Sequence, residues 1–336
     1  MDSPQYSKNN SKNLGIEILR MILCFWVIAS HYAGKKNLLK YKIIKTFKNV
    51  PTFMLISFYF SYNTFISNDI IKYNNRLERL LVPYIIWPII SIIVNFSYDS
   101  INIKKLIFNL LIQYITGYHI YFVLWFVGSL IFLEIFFKII HFLFKKHSLL
   151  ILKIISIILY YIQYKEINYN IFHSYPYYFI GVSRIIEMMP IAVTGLTLKK
   201  IDIFKTIKNH YKRYYIPFPI IIIFFIYNYN VFREFRGFGF NGIQYNIIGV
   251  CLFISFSLIP VNKIKNKIII SLINIVTKYT GGIYYFQIVN YNILVKFKYF
   301  KQRPAFICVM IYIFGYINCT IFIKIFRNNK LKYLFY

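Results

Sequence analysis

The chain has 336 residues, of which 58% belong to the hydrophobic set and 21% are aromatic, with 40 Lys and Arg against 10 Asp and Glu. A soluble domain holds roughly 45–50% apolar residues, so this composition excludes most soluble classes and leaves an integral membrane protein. The formal net charge of +30 does not point to nucleic acid. The lysines cluster between apolar runs, where loops meet anionic headgroups, and no nucleic-acid-binding motif accompanies them.

The polar segment 1–13 leads into an apolar run that carries Arg20 and lacks a small-residue cleavage pattern. That predicts a short cytoplasmic tail and a retained first span over 14–33 rather than a signal peptide. Further spans are predicted near 50–67, 80–98, 119–140, 149–164, 175–198, 214–232, 242–260, 279–296 and 304–323, about ten in all. Continuous apolar runs without alternation require helices, because lipid admits only helices or closed barrels. The stretches 106–116 and 268–277 are too short to cross a ~30 Å hydrocarbon core and are expected to be interfacial or partly re-entrant. No internal repeat, Gly/Ser-rich linker or long polar stretch interrupts the chain, so residues 1–336 read as one all-α transmembrane domain.

Loop charge sets the expected topology. With the N-terminus cytoplasmic, the loops on that side hold the larger share of Lys and Arg, although the six lysines of "GKKNLLKYKIIKTFKN" then lie outside. Cys24, Cys251, Cys308 and Cys319 all fall within apolar runs, without CxxC pairs or neighbouring histidines. That spacing indicates neither a metal site nor a disulfide framework.

The first span, "EILRMILCFWVIASHY", places Arg20 and His31 eleven residues apart. On a helix that is 1,100°, within ~20° of three whole turns, and about 16 Å of rise, so both residues share one face. A charge inside a span is costly and usually faces the bundle interior or a wet cavity. Two readings stand for Arg20, a functional cation in the bundle or a snorkelling headgroup anchor paired with Glu17 at i,i+3. His31 taken alone is either interfacial or catalytic. In "KYNNRLERLLVPYIIW", Arg76 and Arg79 are spaced i,i+3 where the third span leaves the cytoplasmic surface, with Lys72 nearby. Such a pair can grip a phosphate bidentately or serve simply as positive-inside anchors.

These residues resemble acyltransferase family 3, membrane proteins that transfer acyl groups to bacterial surface glycans. The Arg-X10-His spacing of Arg20 and His31 matches that family's first span, and "RLER" at 76–79 followed by "LLVPYIIW" is similar to its Arg-X-X-Arg motif and Pro-Tyr stretch. "VPTFMLISFYF", "HIYFVLWFVGSLIFLE" and "TKYTGGIYYFQ" resemble three further segments. Phe58 stands where the family commonly has Gly, and Gln287 where many members have His. The resemblance implies an acyl-CoA donor, acetyl-CoA above all, held from the cytoplasmic side, with no metal, and a carbohydrate acceptor that is surface-bound or lipid-linked. It places the protein in the bacterial inner membrane. In that scheme Arg76, Arg79 and Lys72 bind the nucleotide phosphates of coenzyme A. Arg20 holds a phosphate, a pantetheine carbonyl or a developing oxyanion, and His31 takes the proton of the attacking sugar group, a task that an imidazole of ordinary pKa ~6.5 suits.

Other polar residues are candidates to line the same cavity. Glu134 has Lys138 as its local partner at i+4, and it reads either as half of a pair or as a functional group. Arg184 and Glu187, at i,i+3, read either as cavity residues or as a structural ion pair. Tyr285 reads as core packing or as lining, and Ser30, about 100° round the helix from His31, as structural. "VFREFRGFGFNG", 231–242, reads as an interfacial turn or a sugar-stacking surface. The rival function from another class is a polytopic transporter or lipid-linked glycan flippase, for which inverted repeats or paired broken helices are expected and are not evident.

Overall fold

The computed structural model describes residues 13–32, 49–67, 69–94, 103–117, 122–169, 180–203, 243–259, 266–297, 299, 303–327 and 329–335. Eleven α-helices lie among them, with no strand among the described residues. They are α1 Leu14–Tyr32, α2 Asn49–Ile66, α3 Ile70–Val94, α4 Ile103–Thr116, α5 Trp125–Phe144, α6 Ser148–Tyr169, α7 Ile180–Lys200, α8 Ile243–Ser257, α9 Lys267–Thr277, α10 Thr280–Leu294 and α11 Pro304–Ile325. Short 3-10 segments precede α5, separate α5 from α6, and close the chain at Lys330–Phe335. The span expected at 214–232 and the aromatic segment 231–242 lie outside the described residues.

By length and composition, three stretches are fit to cross a membrane: Leu14–Tyr32, Trp125–Ile162 and Ala305–Ile325. The expected count of ten is not reached among the described residues, and helix length gives part of the reason. The 15-residue α8 and α10 are about 22 Å long, short of a ~30 Å core. The bilayer signature is clearer on the surface, where α5 and α6 expose Phe132, Ile139, Phe142, Ile154, Ile157 and Ile158. A water-facing surface does not carry such a band.

Local chemistry explains the ends and bends of the helices. Asn13 caps α1, its Oδ1 accepting from the Gly15 and Ile16 amides at 3.1 and 3.3 Å, while its Nδ2 donates to the Ser257 carbonyl at the end of α8. Gly15 permits that approach, since a Cβ there would sit 1.8 Å from the Phe256 carbonyl oxygen. Pro83 and Pro88 lie inside α3, and proline removes the N–H that would bond four residues back. The Tyr114 hydroxyl donates to the Ile85 carbonyl at 2.9 Å, and the Tyr84 hydroxyl donates to the Tyr114 carbonyl at 2.8 Å, stapling α4 beside the interrupted turn.

Two apolar cores organise the bundle. The first gathers α2, α5, α6, α7 and α8 around Leu55, Phe58, Leu133, Met188, Leu196 and Phe253. The second gathers α3, α5, α10, α11 and the closing 3-10 segment around Trp87, Leu124, Ile283, Phe286 and Ile311. The helix α1 joins both, with Ile16, Leu19 and Leu23 in the first and Cys24 and Ile28 in the second. Its midpoint is therefore where the two halves meet, between Arg20 and His31.

Candidate functional site

α1 is unbroken from Leu14 to Tyr32, so Arg20 and His31 keep the helical phase that their spacing demands. Between them on the same face lies Cys24, fully buried, with its Sγ 3.4 Å from the Thr280 carbonyl oxygen at the start of α10. The face that carries Arg20 and His31 is thus the one that meets α10. One residue beyond His31, Tyr32 stacks on Tyr291 of α10 with centroids 4.3 Å apart. His31 itself is exposed at the end of α1, its ring 6.0 Å from that of Tyr32. Ser30 donates to the Val27 carbonyl of its own helix at 2.7 Å, which accords with a structural serine. Arg20 pairs with Glu17 at 3.2 Å, and its side chain remains 38% exposed. The local pair is formed, and more than a third of the Arg20 side chain stays uncovered by protein.

The seam between α1 and α10 holds two polar atoms to which the sequence assigns no role. The Tyr32 hydroxyl and the Gln287 Oε1 are buried without a hydrogen-bond partner among the described residues. Gln287 is fully buried, and its Nε2 donates to the Tyr284 carbonyl at 2.9 Å. Gln287 lies one turn before Tyr291, so both belong to the α10 surface turned toward α1. The departure from His at position 287 was the only sequence signal at this spot. Tyr285, a candidate lining residue, is buried and stacks on Trp87 at 6.2 Å, inside the aromatic core.

The second centre is an ion pair that joins three helices. Arg76 of α3 reaches Glu134 of α5 through Nε at 2.7 Å and through a terminal nitrogen at 2.6 Å. The same terminal nitrogen donates to the Ser57 hydroxyl of α2 at 3.1 Å and lies 3.3 Å from the Ser57 carbonyl oxygen. Three segments that carried the family resemblance, "ISFYF", "RLER" and the stretch ending in Glu134, therefore converge on one guanidinium. Lys138, the local partner expected for Glu134, turns away to the end of α2, donating to the Ser67 and Phe65 carbonyls at 2.6 and 3.3 Å. The carbonyls at a helix C-terminus carry the negative end of the dipole and attract an ammonium.

Arg76 and Arg79 are engaged by different partners. Arg79 is exposed, with its guanidinium 5.7 Å from the Tyr333 ring centroid. Lys72 is also exposed. Beside them Glu78 accepts from Lys330 at 2.7 Å, and that hydrogen bond raises the Lys330 pKa above its ordinary value. Arg184 and Glu187 form the i,i+3 pair at 2.5 Å, with the guanidinium 5.8 Å over Trp125. Phe58, at the family's Gly position, fills the first core against Phe137, with centroids 5.0 Å apart. No disulfide joins Cys24, Cys251, Cys308 or Cys319, and no cluster of three or more His, Cys, Asp or Glu occurs among the described residues.

Apolar helices joined at these two centres define an integral membrane protein. The family model described as "Acyltransferase domain" matches residues 13–325, nearly the whole chain, and the chain belongs to that family, acyltransferase family 3. No curated protein and no solved structure matches it.

Proposed function

We propose that this acyltransferase moves an acyl group, acetyl in this reading, from acyl-CoA on the cytoplasmic side to a hydroxyl or amino group of a cell-surface or lipid-linked carbohydrate. The protein acts as one domain in the bacterial inner membrane with its N-terminus cytoplasmic. The observation that supports this most is the common face of α1, on which Arg20 and His31 flank Cys24 where that helix meets α10.

Each residue has a role suited to its surroundings. His31 takes the proton of the acceptor group as its oxygen or nitrogen attacks the thioester carbonyl carbon, and returns it to the sulfur as the C–S bond breaks. General base catalysis of this kind contributes about 10²–10⁴-fold. Arg20, paired with Glu17 and with 38% of its side chain exposed, supplies a cation for the donor's phosphate or for charge developing on the carbonyl oxygen. Arg79 and Lys72, exposed at the start of α3, receive the nucleotide phosphates. Arg76, held by Glu134 and Ser57, positions α3 for that task.

Purified protein tests the reading directly by calorimetric acyl-CoA binding and by mass-spectrometric detection of acyl transfer. His31→Ala is expected to retain binding and to lose transfer by at least about a hundredfold, while Arg79→Ala weakens binding. Full transfer by His31→Ala overturns the proton-acceptor role. Wild-type protein that ignores acyl-CoA yet moves a lipid-linked sugar across vesicles overturns the enzymatic reading.

A further inference from the structure

The helix α9 has only 11 residues, about 16 Å of length, and its side chains divide into three sectors. Lys267, Ser271, Asn274 and Lys278 recur at i, i+4, i+7 and i+11, within an arc of ~60°. About 100° round the helix, Ile268, Leu272 and Ile275 are 70%, 54% and 45% exposed. The remaining side is partly covered by the protein: Ile269 at its edge is 44% exposed, Thr277 is buried and the Val276 carbonyl accepts from the Tyr312 hydroxyl at 3.2 Å. Asn266 caps the helix through the Ile268 amide at 2.9 Å and the Ile269 amide at 3.4 Å.

Along the polar sector runs an open groove of ≈ 450 Å³, closed at one side by Tyr316 of α11. Lysines stand at its two ends, Ser271 and Asn274 lie between them, and its lining holds no carboxylate. The Lys278 ammonium lies 4.9 Å over the Tyr279 ring, which in turn packs on Tyr316 at 5.4 Å. Both lysine stems are long enough to bring their ammonium groups toward the hydroxyl and amide at the centre.

We infer that this groove binds the phosphate headgroup of an anionic phospholipid. Its lysines hold the phosphate, Ser271 and Asn274 donate to the phosphate or glycerol oxygens, and the acyl chains lie along Ile268, Leu272 and Ile275. A short helix with a cationic stripe beside an exposed apolar one lies in the plane of the interface, and that places phosphates at the level of its lysines. Two charges of one sign without a carboxylate in the lining favour an anionic ligand over a zwitterionic one, whose own cation the lysines would repel. This inference does not depend on the acyl-transfer reading and is tested without turnover.

Detergent-purified full-length protein is titrated with phosphatidylglycerol or with phosphatidylcholine and read by native mass spectrometry. The Lys267→Gln/Lys278→Gln variant is expected to bind phosphatidylglycerol roughly thirtyfold more weakly than wild type, from about one logarithmic step or less per lysine, with phosphatidylcholine unchanged. Lys267→Arg/Lys278→Arg retains binding, and Lys146→Gln, an exposed lysine elsewhere, serves as the control. Equal phosphatidylglycerol binding by wild type and the glutamine variant overturns the inference. Displacement of bound phosphatidylglycerol by adenosine 3′,5′-diphosphate at the wild-type groove overturns it as well, by giving the site to a soluble nucleotide.

Discussion

The pair between Arg76 and Glu134 makes the sharpest test of how this bundle is held together. Glu134 is 5% exposed and Arg76 26%, so replacing Glu134 by Leu keeps the volume and leaves a mostly buried guanidinium with Ser57 as its remaining partner. Breaking a buried pair by removing one member is worth about 3–5 kcal/mol, and the partial exposure of Arg76, which lets it swing outward, places the expected loss near the lower end, ~3 kcal/mol. Glu134→Gln keeps an acceptor but loses charge assistance, and should lose about 1–1.5 kcal/mol. For a chain of this size ~3 kcal/mol corresponds to a drop of roughly 4 °C in Tm, measured by intrinsic fluorescence in detergent. Arg76→Met/Glu134→Leu should recover most of that loss, because a matched apolar pair leaves no charge stranded. If Glu134→Leu unfolds within a degree of wild type, or if the double variant fares no better than the single, the clamp reading of Arg76 is wrong.

Two further perturbations follow from close contacts and orphaned atoms. At Gly195 in α7 a Cβ would lie 2.4 Å from the Leu55 carbonyl oxygen and 3.0 Å from the Tyr59 amide nitrogen. Gly195→Ala should therefore lower stability by ~1–3 kcal/mol despite alanine's better helix propensity, and a rise in Tm would show that α2 and α7 do not pack this closely. Gln287→Leu removes a buried carbonyl oxygen that lacks a partner among the described residues and forfeits one hydrogen bond to Tyr284. A stranded acceptor costs ~1–3 kcal/mol and a hydrogen bond returns ~1 kcal/mol, so Tm should hold or rise; a fall of several degrees would mean that the oxygen is satisfied.

Much of this architecture is legible in the amino-acid string because it depends on local chemistry. Apolar runs without alternation identify a helical membrane protein, since in lipid a single segment satisfies its backbone hydrogen bonds within itself only as a helix. The eleven-residue interval already puts Arg20 and His31 on one face, and the three-residue intervals already pair Glu17 with Arg20 and Arg184 with Glu187. The short stretches expected at 106–116 and 268–277 appear as α4 and α9, within a few residues of those bounds. The count of ten spans is not reached among the described residues, where the 15-residue helices α8 and α10 are shorter than a ~30 Å core, and apolarity alone does not report how a helix is shortened or tilted.

What only the tertiary structure decided is which distant groups meet. Arg76 and Glu134 are 58 positions apart, and nothing in either neighbourhood names the other. Lys138, the obvious partner for Glu134 by spacing, goes instead to the carbonyls that end α2. The same holds for Cys24 against Thr280 and Tyr32 against Tyr291, which turn the shared face of α1 toward α10. Helical periodicity follows from hydrogen bonds four residues long and can be counted along the chain. The choice of a charge's partner follows from which helices the packing of Leu, Phe and Gly surfaces brings side by side, and that is settled only when the whole bundle closes.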